Sequence, residues 1–213
     1  MASTLSKVAT LAIGAGLSGS LAVAEGVYHG YETPSYTIEQ SVDGAELRAY
    51  EPHMLAEVTV SGNRDSALNR GFRVLASYIF GGNTSASKVA MTAPVSQSQS
   101  ETIAMTAPVT QTGEGGLWTV TFMMPRQYTE DTLPVPNSEA IRFVRTEPEH
   151  KLVLMFSGRA TDRVLAQKTE ELRAIAARAG IAISGPSIFA FYDDPFTLPW
   201  NRRNEVAFLV DGS

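Results

Sequence analysis

The residues able to do chemistry are few. The 213-residue chain holds three histidines and no cysteine, which excludes disulfides, thiolate nucleophiles, Cys-ligated zinc and iron–sulfur clusters. His53 lies between Pro52 and Met54 where an alternating stretch begins. A neutral imidazole there could reach an iron or simply hold a turn. His29, in a short connecting segment, and His150, between Glu149 and Lys151, read as surface residues. Glu130-Asp131 is a paired carboxylate in a proline-flanked loop, which faces it to water. No Ser-nucleophile elbow, HExxH zinc helix or P-loop is present, so hydrolase and kinase chemistry lack support.

One phosphate-binding pattern does occur. Gly14-Ala15-Gly16-Leu17-Ser18-Gly19 spells GxGxxG, with Glu39 at the distance of a ribose-binding acid. Its required context is a following helix and repeated βα units. Gly26, Gly30 and Pro34 cut such a helix short, and the rest of the chain reads as antiparallel. The same segment fits export better. Lys7 precedes the uncharged stretch 8–24, which ends in small residues at Leu21-Ala22-Val23-Ala24. A basic residue, a short apolar run and a small-x-small ending describe a signal cleaved after Ala24. The expected organisation is a signal over 1–24, a linker over 25–35 and one domain over 36–213. The expected location is the periplasm. An uncleaved inner-membrane anchor formed by 8–24 is the alternative.

The elements that must position a site follow from periodicity. Ala45–Tyr50 and Leu55–Val60 alternate as strands. Between Asn63 and Phe80 the period changes: Leu68, Phe72, Leu75 and Ile79 recur at three- and four-residue steps, and Gly81-Gly82 end the helix. Strands are expected at Val89–Val95, Ile103–Gln111, Trp118–Met123, Ile141–Arg145 and Lys151–Ser157. A second helix over Thr161–Ala179 buries Val164, Leu165, Leu172, Ile175 and Ala176, and strands near Ile188–Tyr192 and Glu205–Val210 close the chain. The two helices begin alike, at Ser61-Gly62-Asn63-Arg64-Asp65 and Ser157-Gly158-Arg159-Ala160-Thr161-Asp162. Duplication is the economical explanation. The fold class is α+β: two pseudo-repeated strand–helix–strand halves forming a distorted antiparallel β-barrel, with a helix packed on each half.

A shorter repeat, Val89-Ala90-Met91-Thr92-Ala93-Pro94-Val95 and Ile103-Ala104-Met105-Thr106-Ala107-Pro108-Val109, reads as adjacent strands with Met and Ala inward and an edge proline. Thioether ligation of iron by Met91 or Met105 is the sharper alternative. The net charge of −5, with acids and bases interspersed, argues against a nucleic-acid partner and against adhesion to anionic membranes.

Lys88 through Val95 resembles the "KIAMTAPV" signature of the SOUL haem-binding family. So do Glu46 through Pro52, Phe72 through Tyr78 leading to Gly81, Met124 through Tyr128 with Leu133-Pro134-Val135-Pro136, and Arg202 through Val206, all in order over about Tyr36 to Val210. The resemblance implies a two-fold pseudo-symmetric barrel and binding of haem or another porphyrin in a shallow apolar groove beside the first helix. By that analogy Leu68, Phe72, Leu75 and Tyr78 form the wall, and Arg70 and Arg73 face the propionates. The position where some members carry a proposed iron-ligating histidine is Ala49, which leaves His53 as the candidate ligand. Periodicity alone gives Leu68, Phe72 and Leu75 a core-facing role and leaves both arginines solvated. The function so implied is a carrier or buffer of haem or protoporphyrin, without strong axial ligation. The rivals are a tetrapyrrole-modifying enzyme (haem-degrading or iron-removing) using Tyr78, His53 and Arg73, and a protein-interaction module on the same scaffold. The membrane is a partner only if residues 8–24 are retained.

Overall fold

The computed structural model describes residues 22–24, 26–86 and 100–211. Along the chain run β1 (Ala22–Ala24), β2 (Val27–Tyr28), β3 (Tyr31–Glu32), β4 (Tyr36–Val42), β5 (Ala45–Tyr50), β6 (Met54–Ser61) and α1 (Arg64–Ile79). Then come β7 (Asn83–Thr84), β8 (Val109–Glu114), β9 (Leu117–Met123), β10 (Val135–Pro136), β11 (Arg142–Arg145) and β12 (Glu149–Phe156). The chain ends with α2 (Asp162–Ala179), β13 (Ile183–Phe191), a short 3₁₀ turn (Pro199–Asn201) and β14 (Asn204–Val210).

Ten strands form one antiparallel sheet in the order β1-β4-β5-β12-β14-β13-β8-β9-β6-β11. The fold is α+β with two helices, but the expected barrel is not formed. The edge strands β1 and β11 are three and four residues long. They offer too few ladder groups to zip the sheet shut, and closure needs strands matched in length and stagger. The order also reads alike from both sides of the β13–β8 pair. Counting only strands of this sheet, the strand before each helix (β6, β12) pairs with the second strand after it (β9, β14), which pairs with the first (β8, β13).

Each helix starts on a polar cap. The Asn63 side chain accepts from Ser66 N at 2.9 Å, and Thr161 Oγ1 accepts from Val164 N at 3.4 Å. Gly180 ends α2 at φ +68°, a conformation that costs glycine nothing. Two cores result. Leu75, Tyr78 and Ile79 of α1 pack with Ala56, Val58, Val120 and Phe122 of β6 and β9. Leu165, Leu172 and Ile175 of α2 pack with Leu152, Phe189 and Phe208 of β12 to β14. Gly71 lets α1 approach the sheet: a Cβ there would stand 2.6 Å from Val120 Cγ2.

The first copy of the Met-Thr-Ala-Pro repeat, Met91 included, lies outside the described residues. In the second copy Ile103 and Ala107 are buried, whereas Met105 is exposed, so the methionine expected inward points out. Ladder pairing begins only at Val109, because Pro108 has no N–H to donate. Within the expected linker, β2 and β3 form a small hairpin. Tyr28 Oη donates to Asp193 Oδ2 at 3.1 Å and its ring meets the Tyr192 ring at 5.2 Å.

Candidate functional site

The C-terminal half of α1 and the 137–141 segment border a groove of about 460 Å³ lined by Arg73, Val74, Ser77, Tyr78, Gly82, Asn137, Ser138 and Ile141. The volume lies within the ordinary range for a ligand site, about 300–1,000 Å³. Successive helix residues turn by about 100°, so the stripe 73, 74, 77, 78 lies beside the core stripe 68, 75, 79. The floor is tight. Gly82 N donates to Ser77 O at 2.7 Å, and a Cβ on Gly82 would stand 2.6 Å from that oxygen.

Polar groups line one side. Arg73 Nε donates to Asn69 O at 3.3 Å, and the residue is otherwise exposed. Asn137 Oδ1 accepts from Thr84 Oγ1 at 3.3 Å, and its backbone N–H donates to Gly82 O at 3.0 Å. Tyr78 is only 1% exposed, so it backs the groove from the core, where its ring meets Phe143 at 5.6 Å. Its Oη donates to Pro134 O at 2.9 Å, and burial pushes the phenol well above its ordinary pKa. It therefore stays protonated and cannot serve as a base near neutral pH.

Arg73 thus lies on the groove with the buried Tyr78 behind it, and the other expected site residues fall elsewhere. Leu75 has no exposed surface and sits beneath, in the core. Leu68 is half-buried against that core, and Phe72, 38% exposed, packs edge-on to Phe122 at 5.5 Å. The Arg70 guanidinium donates to Ser61 O at the end of β6. Residues in the groove that were not site candidates from the sequence are Val74, Ser77, Gly82, Asn137, Ser138 and Ile141.

His53 lines a second hollow, of about 190 Å³, with Pro34, Met123, Met124, Arg126 and Arg145. This volume is below that of ordinary ligand pockets. Among the described residues the two hollows share no lining residue. His53 Nδ1 lies 2.9 Å from Glu51 O, which can only accept, so Nδ1 carries the hydrogen and Nε2 the lone pair. Burial lowers the His53 pKa, assisted by the nearby Lys151 and Arg126 charges, and keeps the ring neutral. Glu130 and Asp131 are exposed. Among the described residues, no cluster of three or more His, Asp or Glu side chains could hold a metal ion.

The strongest electrostatics lie within the fold. Arg48, fully buried, donates to Glu205 Oε1 at 3.0 Å, to Glu46 Oε2 at 2.7 Å and to Tyr50 Oη at 3.1 Å. Arg203 donates to the same Glu205 oxygen at 2.6 Å, and Tyr192 Oη donates to its other oxygen at 3.0 Å. The guanidinium of Arg48 lies 4.3 Å above the Tyr36 ring and that of Arg203 lies 4.1 Å above Tyr192. Burial drives the Tyr50 and Tyr192 phenols far up in pKa. Every member has a partner, so the network holds the strands together and presents no group free to react. Both arginines and the glutamate lie in the motifs Glu46–Pro52 and Arg202–Val206; their meeting was not visible in the sequence.

No helix among the described residues is long and apolar enough to cross a membrane. No curated protein matches the chain. Among solved structures, a hydrolase from Listeria innocua is similar at TM-score 0.52 and 15% identity, over 81% of this chain and 94% of that one. The EcmrR C-terminal domain is similar at TM-score 0.58 and 10% identity, over 79% and 98%. An uncharacterized conserved protein from Listeria innocua is similar at TM-score 0.52 and 14% identity, over 78% and 91%. At such identities the likeness shows the fold alone. The family profile described as SOUL heme-binding protein matches residues 31–209, most of the chain, and the chain belongs to that family.

Proposed function

We propose that this protein binds haem or a related tetrapyrrole in the groove along α1 and acts as a carrier or buffer. The supporting observation is the pairing of an apolar side (half-buried Val74, backed by the buried Ile141 and Tyr78) with a polar edge (Arg73, Asn137 and Ser138) in a volume of about 460 Å³. A porphyrin is a flat apolar plate with two carboxylates on one margin, and that lining fits it. Burying roughly 300–400 Å² of the plate is worth about 8–10 kcal/mol gross. Association removes several of these, leaving micromolar to nanomolar affinity without a bond to iron. Arg73 holds the carboxylates by charge, the Asn137 amide and Ser138 hydroxyl add hydrogen bonds, and Val74 and Ile141 exclude water. Bound haem would bring an iron centre able to take axial ligands; no histidine lines this groove. The charge and apolar pattern of residues 1–24 supports export to the periplasm.

Titration of the full chain with ferric haem and with iron-free protoporphyrin, followed at the Soret band, tests the reading. Similar saturable affinities are expected. Binding of haem alone would put the iron bond in charge, and binding of neither would leave the interaction-module reading. Loss of the Soret band with release of iron, on adding reductant under oxygen, would point to the tetrapyrrole-modifying enzyme.

A further inference from the structure

Among the described residues, the largest exposed apolar group lies away from both hollows. On the loop between β13 and β14, Phe196 is 93% exposed, Trp200 68% and Leu198 52%. These side chains are held out by a built scaffold. Asp194 Oδ1 accepts from the Phe196 and Thr197 N–H groups at 2.7 and 2.9 Å. Arg202 donates to Thr197 O at 2.8 Å and to Pro195 O at 2.6 Å, and Gly158 N donates to Pro199 O at 2.9 Å. Pro195 and Pro199 stiffen the backbone further. A loop so braced holds its apolar side chains outward, and among the described residues none covers them.

We infer that this loop is a membrane-contact wedge, inserting Phe196, Leu198 and Trp200 at the interface of a lipid bilayer. The second observation is where β1, the described end of an uncharged stretch of sequence, joins the domain. Residues 8–24 carry no charge. Their end, β1, leads within a few residues to Tyr28, which is bonded to Asp193 at the base of the loop. The six steps from Ala22 to Tyr28 span at most about 20 Å, so β1 lies within that distance of the residue bonded to the base of the loop. Three such side chains expose about 400–500 Å², short of the ~800 Å² per partner of a stable protein interface. Trp and Phe beside Leu are the composition that settles at the headgroup level. The Arg202 charge is committed to loop carbonyls and the net charge is −5, so zwitterionic lipid suffices. The inference is independent of the tetrapyrrole reading.

The test uses the full chain with Trp118→Phe, which leaves Trp200 as the sole tryptophan, mixed with phosphatidylcholine vesicles brominated at defined acyl depths. Trp200 emission is expected to shift to the blue and to be quenched more by bromines near the headgroups than by those at the chain ends. Raised salt should not reverse it. The parent chain and its Trp200→Phe variant, compared by difference spectra, give the same readout should Trp118→Phe fail to fold. The inference is overturned if Trp200 stays solvent-like while the chain sediments with vesicles, if the chain does not sediment with them, or if the blue shift appears without lipid and grows with protein concentration, which would make a second copy the occupant.

Discussion

The Arg48 guanidinium and the Glu205 carboxylate, 157 residues apart in sequence, meet at 3.0 Å with almost no exposure of either. Arg203 shares the same carboxylate, so one buried anion serves two buried or half-buried cations. The arrangement sets an order of costs. Glu205→Gln leaves both guanidiniums without it and is expected to cost about 3–5 kcal/mol. Arg48→Met leaves Glu205 still paired with Arg203 and should cost less. Urea denaturation of the two variants checks the order, and a Glu205→Gln chain as stable as the parent would refute it.

Burial holds His53 below its ordinary pKa of 6.5, so folding and pH are linked at this ring. Above pH 6.5 the ring is neutral in both states and its full contribution to stability is present. As the pH falls below 6.5 the unfolded chain takes up the proton while the folded chain resists it. Stability therefore declines until the folded ring also titrates. Urea midpoints measured from pH 7.5 downward should fall more steeply for the parent than for His53→Gln. The same substitution, or His53→Ala, should leave the Soret spectrum of a haem complex nearly unaltered, since His53 lines the other hollow.

Both helices, their glycine stops and most strands were legible because each rests on local periodicity and a nearby stop signal. Gly180 marks the end of α2, and Leu165, Leu172 and Ile175 form the buried stripe the spacing predicts. The open sheet was not legible. Closure is decided by the shortness of β1 and β11, a pairing property that no single strand carries. The groove was half legible for a related reason. Apolar recurrence marks the face of a helix that meets the core, which is where Leu75 went. A ligand wall is the mixed stripe beside it, here Arg73, Val74 and Ser77, and its opposite side comes from 137–141, some 60 residues on. The Arg48–Glu205 pair was hidden by distance in sequence alone.

Gly71 faces Val120 so closely that a methyl would overlap it. Gly71→Ala gains about 1 kcal/mol of helix propensity, yet overpacking of this kind costs about 1–3 kcal/mol. The variant should be net destabilised. Val120→Ala loses stability alone by opening a cavity, but combined with Gly71→Ala it should recover part of that loss. Non-additive urea midpoints would show it, and simple addition would mean that the helix shifts to make room.

Leu75 and Arg73 separate a core role from a ligand role on one helix. Leu75→Ala empties a fully buried site and should cost about 2–5 kcal/mol of stability, while the surviving folded chain binds protoporphyrin as before. Arg73→Ala removes an exposed cation and should leave stability within about 0.5 kcal/mol. Its effect should appear in binding: an exposed charge pair is worth about 0.2–1 kcal/mol, a few-fold at most in protoporphyrin affinity. The dimethyl ester of protoporphyrin carries no carboxylate charge, so its binding should not respond to Arg73→Ala. Equal weakening for the acid and the ester would remove Arg73 from the carboxylate edge, leaving Asn137 and Ser138 to supply it.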